Sequence, residues 1–282
     1  MIDAYLTRLG VRPGRPSLEG LLALHRAQVE RVPYENVDIY RGRPPGIDVA
    51  ESLERMARGR GGYCYQLNGA FATLLSELGY DVTWHVGGVH HEGGPVGATG
   101  NHLALTVAGL PAPECPEGVW FVDAGLGDAL HEPLPLREGV FRQGPFTYGL
   151  ERSAVVPDGW HFTHTAEASF SGMDFGPVAA GPQTFADMHE HLSTSPESGF
   201  LRALAVQRRF ATHSETLRGR TIIRHDAAGR SSRIAADRRE WDAALAAFGL
   251  DLTDVDLDAL WGRVEADHEA WLASLAAAEG SP

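Results

Sequence analysis

The chain has 282 residues and a mass of 30.4 kDa, which exceeds the usual size of one domain and predicts two or three small ones. Its net charge of −13 argues against a nucleic-acid or anionic-membrane surface, because either would need a basic field. No apolar run approaches the ~20 residues of a membrane span. The first ten residues, MIDAYLTRLG, lack the basic start and apolar stretch of a signal peptide.

The cysteine and lysine content describes the environment of the protein. The two cysteines, Cys64 and Cys115, are too few for the disulfide framework of a secreted scaffold. Every Lys/Arg position is arginine, which is typical of a GC-rich genome. We therefore expect a cytoplasmic bacterial enzyme with reduced thiols, and we draw nothing functional from the missing lysine.

Apolar residues spaced three and four apart predict helices through the first 80 residues. The first, IDAYLTRLG, has Asp3 as its expected cap and Gly10 as its stop, and the second begins at Ser17. DVAESLERMARGR is a third amphipathic segment. CYQLNGAFATLLSELG is a fourth, and Gly79 ends it.

From Asp81 the hydrophobic period changes to that of strands. Short segments rich in Val, Trp, Leu and Thr, separated by Gly/Pro turns, predict an antiparallel sheet or small barrel up to about residue 180. The last third mixes helices with paired strands that turn at Arg218-Gly219. We predict an α+β protein with a helical region 1–80, a β region 81–183 and a mixed region 184–282.

Cys64 lies in the stretch RGRGGYCYQLNGAF, directly behind Gly61 and Gly62. A tight glycine turn before a helix would place the thiol at the positive end of the helix dipole, which favours the nucleophilic thiolate. Arg60 is expected to add positive charge, and the glycines to let a substrate approach the backbone. A small buried hydrophobic residue is the alternative, and composition leaves both interpretations open.

A thiolate nucleophile needs a base, and the base needs a group that orients it. His102 begins the predicted strand HLALTV, and Asp123 comes near the end of WFVDAG. If these strands are neighbours, the two side chains could meet at one sheet edge, against the helix start that carries Cys64.

HVGGVHHEGG offers a competing interpretation, since His85, His90 and His91 are metal-binding residue types. Its only carboxylate is Glu92, adjacent to His91, and no cysteine follows at a standard ligand spacing. We expect no metal site here.

Several segments, taken in order, resemble the arylamine N-acetyltransferase family. RGGYCYQLN resembles the family's Arg-Gly-Gly-aromatic-Cys-aromatic-Glu-x-Asn signature. The other matching segments are VPYENVDI (32–39), NHLALTV, WFVDAGLGD, STSPESGF (193–200) and TLRGRT. The likeness covers nearly the whole chain and is poor only between about 138 and 183.

This resemblance implies a helical bundle carrying the nucleophile, a β-barrel carrying the His and Asp, and an α/β lid around a cysteine-protease-like core. Cys64 would be the nucleophile, His102 the base and Asp123 its orienter. Acetyl-CoA or another acyl-CoA would be a co-substrate, with no permanent cofactor and no metal, and a small amine the acceptor. Candidate contacts are Thr99, Gly100 and Phe200 for CoA, and Tyr34 and Leu126 for the acceptor pocket.

Three departures from the family pattern keep other functions open. Gln66 replaces a glutamate, Leu126 replaces a phenylalanine, and the 110–117 hairpin carries Cys115, which reads as a loop residue. An amide synthase that takes a polyketide chain from an acyl carrier protein is the main alternative. A Cys-His-Asp hydrolase and a non-catalytic scaffold are further ones.

Overall fold

A computed structural model describes residues 1–91, 93–165 and 168–279 of the chain. These residues form helices and two antiparallel sheets, so the predicted α+β class is confirmed. Within this part of the chain, no helix combines the length and apolar character needed to cross a membrane.

The first 80 residues are helical, as predicted. Their helices are α1 (Ile2–Leu9), α2 (Leu18–Arg31), α3 (Val37–Tyr40), α4 (Val49–Ala57) and α5 (Cys64–Glu77). Ser17 caps α2, since its hydroxyl accepts from the Gly20 amide at 3.1 Å. The cap predicted at Asp3 is wrong, because α1 begins two residues earlier than such a cap would allow, Met1 occupies the cap position and Asp3 lies in the first turn.

An eight-stranded, barrel-like antiparallel sheet follows. Its strands are β2 (Asp81–His90), β3 (His102–Ala108), β4 (Trp120–Val122), β5 (Leu134–Pro135), β6 (Gly139–Gln143), β7 (Phe146–Arg152), β8 (Trp160–Thr163) and β9 (Gly172–Ala179). They are arranged in the order β5-β4-β3-β2-β9-β8-β7-β6. Alternate side chains point inward and form an aromatic core that includes Phe121, Tyr148, Phe162 and Phe175.

The last third combines a second sheet with helices. The second sheet holds β1 (Tyr34–Glu35), β10 (Ala205–Arg209), β11 (His213–Arg218), β12 (Thr221–Asp226) and β13 (Gly229–Ile234), in that order. The helices are α6 (Ala186–Thr194), preceded by a 3-10 turn (Pro182–Phe185), α7 (Gly199–Arg202), α8 (Arg238–Ala246) and α9 (Leu257–Glu279). The predicted β11–β12 hairpin is present, and Gly219 adopts φ 55° in its turn.

The first and last parts of the chain interlock at Asn36. Strand β1 pairs with β10, and next to it the Asn36 amide donates to the carbonyls of Phe200 and Ala203, both at 2.8 Å. Its side-chain oxygen accepts from the Ala205 amide at 2.7 Å. The helical region therefore contributes to the second sheet, and the boundaries at 80 and 183 stay a prediction.

Candidate active site

Cys64 is the first residue of α5, with Tyr63 at the cap position. At this position a thiol lies beside backbone N–H groups that have no acceptor within the helix. Cys64 is only 3% exposed, yet it lines the large cavity described below. Its sulfur contacts the Asn101 carbonyl at 3.8 Å. The thiol is therefore sheltered from bulk water but open to the cavity.

Gly61 and Gly62, which precede Cys64, allow neighbouring segments of the chain to pack closely against the backbone. A Cβ on Gly61 would lie 2.1 Å from the Pro33 carbonyl oxygen, and one on Gly62 would lie 2.8 Å from the Gln66 Cβ. Gly62 also forms a bridge with Tyr34. The expected opening for substrate at Gly61 is thus wrong, because the 33–35 segment occupies that space.

Arg60 does not serve Cys64 as expected. Its guanidinium pairs with Asp38 at 2.6 Å and with Asp254 at 2.9 Å. Both partners are carboxylates that compensate its charge. Arg60 therefore ties α3 to the loop before α9.

His102 and Asp123 meet at one edge of the eight-stranded sheet. His102 begins β3 and Asp123 directly follows β4, and these strands are antiparallel neighbours. His102 Nε2 lies 2.7 Å from Asp123 Oδ2. Because Nε2 faces the carboxylate, Nδ1 is the ring nitrogen left for the thiol of Cys64, which lies close enough to raise the pKa of His102.

The second carboxylate oxygen of Asp123 is held from two directions. Asn68 Nδ2 donates to Asp123 Oδ1 at 2.7 Å, and the Gly125 amide donates to the same oxygen at 2.9 Å. The Asn68 side chain also donates to the Leu103 carbonyl at 2.6 Å and accepts from the Ala124 amide at 2.9 Å. One amide therefore joins α5 to both strands of the pair.

Gly125 permits the close approach of the Asp123 loop to α5. A Cβ at this position would lie 2.8 Å from the Cys64 Cα and 2.9 Å from the Asn68 amide nitrogen. Any larger residue would push Asp123 away from the helix start.

The electrostatics favour a charged imidazole. Burial on its own disfavours the imidazolium, but the Asp123 carboxylate and Cys64 outweigh it and raise the pKa of His102 to about 10. This imidazole therefore holds a proton at neutral pH and can donate it to a leaving group.

A cavity of about 680 Å³ opens in front of Cys64 and His102. It is walled by the helical region, the barrel-like sheet and the second sheet. The predicted pocket residues Tyr34 and Leu126 line it, and so does Phe200. Its size lies within the usual range of small-molecule sites.

Thr99 and Gly100 do not line this cavity. Gly100 donates its amide to the Gly87 carbonyl at 2.9 Å and accepts from the Tyr65 hydroxyl at 2.5 Å. Thr99 is exposed on the same loop. The two residues lie on the loop that precedes His102 and are outside the lining of the cavity.

The side-chain amide of Gln66 both accepts and donates a hydrogen bond. Its oxygen accepts from the Tyr63 amide at 3.2 Å, and its nitrogen donates to the Gly46 carbonyl at 2.9 Å. A glutamate could accept the first bond, but an ionised carboxylate cannot donate the second. Leu126 packs into the aromatic core of the barrel-like sheet as well as facing the cavity.

The remaining sequence candidates are dispersed. Cys115 lies in the loop before β4, as predicted, but it is buried, and its thiol donates to the Val119 carbonyl at 3.1 Å. His85 lies 2.8 Å from the Thr106 hydroxyl, and His91 lines the cavity. Glu92 is outside the described residues.

Sequence reasoning assigned no role to Asn68 and Asn101. The Asn101 side chain holds the backbone of Val89 through two hydrogen bonds, at 2.7 and 2.9 Å. For Asn68 a signal was available, since it lies one helical turn after Cys64 and so shares its face. For Asn101 the sequence gives no comparable signal.

Known proteins resemble this chain in sequence and in fold. The N-acetyltransferase family model matches residues 17–257. The arylamine N-acetyltransferase of Mycolicibacterium smegmatis is 32% identical, over 90% of this chain and 93% of its own. The M. tuberculosis arylamine N-acetyltransferase structure has a TM-score of 0.81 and 26% identity, covering 94% of this chain and 99% of that one. The Mycobacterium marinum arylamine N-acetyltransferase in complex with CoA has a TM-score of 0.82 and 25% identity, covering 95% and 98%. The chain belongs to the arylamine N-acetyltransferase family and is an acyltransferase.

Proposed function

We propose that Cys64, His102 and Asp123 form a catalytic triad that moves an acetyl group from acetyl-CoA to an arylamine, arylhydrazine or N-hydroxyarylamine. The observation that carries this proposal is the thiol at a helix start, next to a buried imidazole whose Nε2 faces a buried carboxylate. The name of the M. smegmatis relative supports an arylamine acceptor, and the CoA complex of a structural neighbour supports the donor.

The reaction proceeds in two half-reactions, as a ping-pong cycle. The imidazolium of His102 already holds the thiol proton, and the Cys64 sulfur attacks the thioester carbonyl of acetyl-CoA. The C–S bond to CoA breaks, and the imidazolium returns the proton to the departing CoA sulfur. The acetyl group is then held on Cys64 as a thioester.

In the second half-reaction the amine nitrogen attacks the acetyl carbonyl on Cys64. His102 accepts the amine proton as the new C–N bond forms, and the Cys64 sulfur leaves. The first N–H groups of α5 lie next to this carbonyl and can stabilise the oxyanion that develops. Asp123 keeps the imidazole in the orientation that both steps need.

The cavity walls suit these substrates. Tyr34 and Phe200 offer aromatic surfaces to an aryl ring, and Leu126 adds an aliphatic one. Burial, with Cys64 and Asp128 nearby, raises the pKa of Tyr34, so its phenol stays neutral at physiological pH. The enclosed thiol also limits hydrolysis of the acetyl-enzyme, because little water reaches it.

CoA is an anion, and this chain carries a net charge of −13. Arg218 and Arg230 of the second sheet line the same cavity and supply positive charge. We assign them to the phosphates of CoA, with Phe200 beside the thioester arm and Thr99 and Gly100 at the outer approach. Relatives named amide synthases do not appear among the proteins described above, and an acyl carrier partner gains no support from them.

The test is the intact mass of the protein after mixing with acetyl-CoA. We expect one added acetyl group in the native protein and in Cys115→Ala, and none in Cys64→Ala. Subsequent addition of an arylamine should restore the original mass and release the acetylated amine.

Three outcomes would contradict the proposal. These are an adduct that survives in Cys64→Ala, the absence of any adduct in the native protein, and an acetyl-enzyme that water discharges as fast as the amine does. An adduct that persists in the presence of arylamines would favour the amide synthase alternative.

A further inference from the structure

A second group of chemically competent side chains lies on the eight-stranded sheet, outside the cavity that contains Cys64. It consists of His90 on β2, His161 on β8 and Asp174 on β9. Strand β9 lies between the other two, with Asp174 opposite His161 and Gly172 opposite His90. Since residues two apart on a strand share a face, the three side chains converge on one side of the sheet.

Glycine makes room for this convergence. A Cβ on Gly172 would lie 3.0 Å from the Cε1 atom of His90 and 3.1 Å from that of His161. The two imidazoles stack with ring centroids 5.5 Å apart and an interplanar angle of 18°. Two stacked imidazoles above a glycine leave their nitrogens directed at the same carboxylate.

The carboxylate is buried and firmly placed. Asp174 is 2% exposed and accepts from the Ser153 hydroxyl at 2.7 Å and from the Gly97 amide at 3.0 Å. His161 Nδ1 lies 3.0 Å from its Oδ1. These donors fix its orientation before any ligand arrives.

Hydrogen bonding does not explain why His90 is placed beside Asp174. Its side chain is 10% exposed, and its Nε2 lies 3.4 Å from Asp174 Oδ2. That contact does not have hydrogen-bond geometry, and Nε2 is buried without a hydrogen-bond partner among the described residues. A buried, unpartnered imidazole nitrogen is costly unless something else uses its lone pair.

We propose that His90 Nε2, His161 Nδ1 and the Asp174 carboxylate bind a divalent transition metal of the Zn²⁺ type. The ligand atoms all lie within 4.8 Å of one another. Tetrahedral Zn²⁺ with bonds of about 2.0–2.1 Å places its ligands about 3.3 Å apart. His90 Nε2 lies 3.4 Å from Oδ2 of Asp174 and His161 Nδ1 lies 3.0 Å from its Oδ1, so each carboxylate oxygen is close to that distance from one imidazole.

The donor set favours this class of metal. Two imidazole nitrogens and one carboxylate oxygen suit Zn²⁺ and its neighbours, whereas Ca²⁺ and Mg²⁺ prefer oxygen ligands. Binding uses the lone pair of His161 Nδ1, so the ring proton resides on Nε2 in the bound form, and a water molecule completes the coordination. The metal would cross-link β2, β9 and β8 at a place outside the cavity that Cys64 lines.

The test is calorimetric titration of the full chain with Zn²⁺, carried out on Cys64→Ala so that the active-site thiol cannot bind the metal. We expect one Zn²⁺ per chain. Affinity should fall at least about tenfold in His90→Gln and in His161→Gln. His191→Gln, which changes an exposed histidine of α6, is the matched control and should bind normally.

Co²⁺ added to the native protein gives a second readout that does not depend on a variant folding. Ligands of nitrogen and oxygen give visible d–d bands without the near-ultraviolet charge-transfer band of a thiolate ligand. The melting temperature should also rise with Zn²⁺ and return with chelator. A thiolate band as the only signal, equal affinity in all histidine variants, or no binding in Cys64→Ala would each overturn the proposal.

Discussion

Two buried aspartate–histidine groups lie on the same eight-stranded sheet and are constructed alike. Asp123 faces His102 at 2.7 Å, and Asp174 faces His161 at 3.0 Å. Each carboxylate also accepts from one backbone amide and one side-chain donor, which are Gly125 and Asn68 in the first group and Gly97 and Ser153 in the second.

The two groups differ in their third member. His102 has a thiol at a helix start and a cavity in front of it, whereas His161 has a second imidazole in place of the thiol. An oriented imidazole is therefore a proposed catalytic base in one setting and a proposed metal ligand in the other. The carboxylate–histidine pair alone does not distinguish them.

The largest effect should come from making the same substitution in both groups. Asp123→Asn is expected to lower acetyl transfer roughly 10⁴-fold, because an amide can stabilise the wrong imidazole tautomer and no longer compensates the imidazolium. Asp174→Asn should leave transfer within about twofold of the native rate, since no catalytic step uses it. Steady-state kinetics with acetyl-CoA and an arylamine measure both. Equal losses in the two variants would show that the pairs are not functionally distinct.

Substituting the side-chain donors to the two carboxylates, Asn68 and Ser153, should give a smaller difference in activity. Asn68→Ala removes the amide that joins α5 to both strands, and we expect kcat to fall up to about 10²-fold through misplacement of Asp123. It should also lower the free energy of unfolding by about 1–3 kcal/mol, because the Ala124 amide loses its acceptor. Ser153→Ala, the matched change at the second group, should leave kcat unchanged. A native kcat in Asn68→Ala would remove Asn68 from the positioning of Asp123.

The smallest effect is the pH dependence of stability, and it should have opposite signs in the two groups. The pKa of His102 is raised from about 6.5 to about 10, chiefly by Asp123 against the effect of burial. Its stabilising contribution is therefore complete below pH 6.5 and is lost as the pH rises toward 10. Burial alone would raise the pKa of Asp174, but hydrogen bonds from Ser153, His161 and Gly97 lower it. Its contribution is therefore present above the ordinary carboxyl pKa and is lost as the pH falls.

Urea unfolding across the pH range measures this contrast. Asp123→Asn should flatten the alkaline side of the stability profile and leave the acid side unchanged. Asp174→Asn should do the reverse. Profiles that flatten on the same side in both variants would contradict the assignment.

The sequence was sufficient for the parts of the site that depend on local pattern and neighbouring strands. Cys64 at a helix start follows from helical periodicity, and His102 and Asp123 lie together because β3 and β4 are consecutive antiparallel strands. The β11–β12 hairpin is predictable in the same way, from a glycine between two strand patterns. Their catalytic roles still rest on the proposal above.

The parts that the sequence missed depend on contacts between distant segments. Asp174 lies next to His90 only because β9 pairs with β2. The hydrophobic periodicity of the sequence does not predict which strands pair. Arg60 appears from its position to serve Cys64, but Asp38 and Asp254 take its charge. Gly61 resembles a substrate opening until the Pro33 carbonyl is seen to fill it.

The bonds made by Asn36 have a consequence for synthesis of the protein. The asparagine and its partner Ala205 are 169 positions apart. While the ribosome is still adding the second sheet, the helical region already contains the thiol, but the outer walls of its cavity do not yet exist. The wall that β10 and β11 contribute to the Cys64 cavity is therefore completed late, only when the β10 segment has been synthesised and pairs with β1.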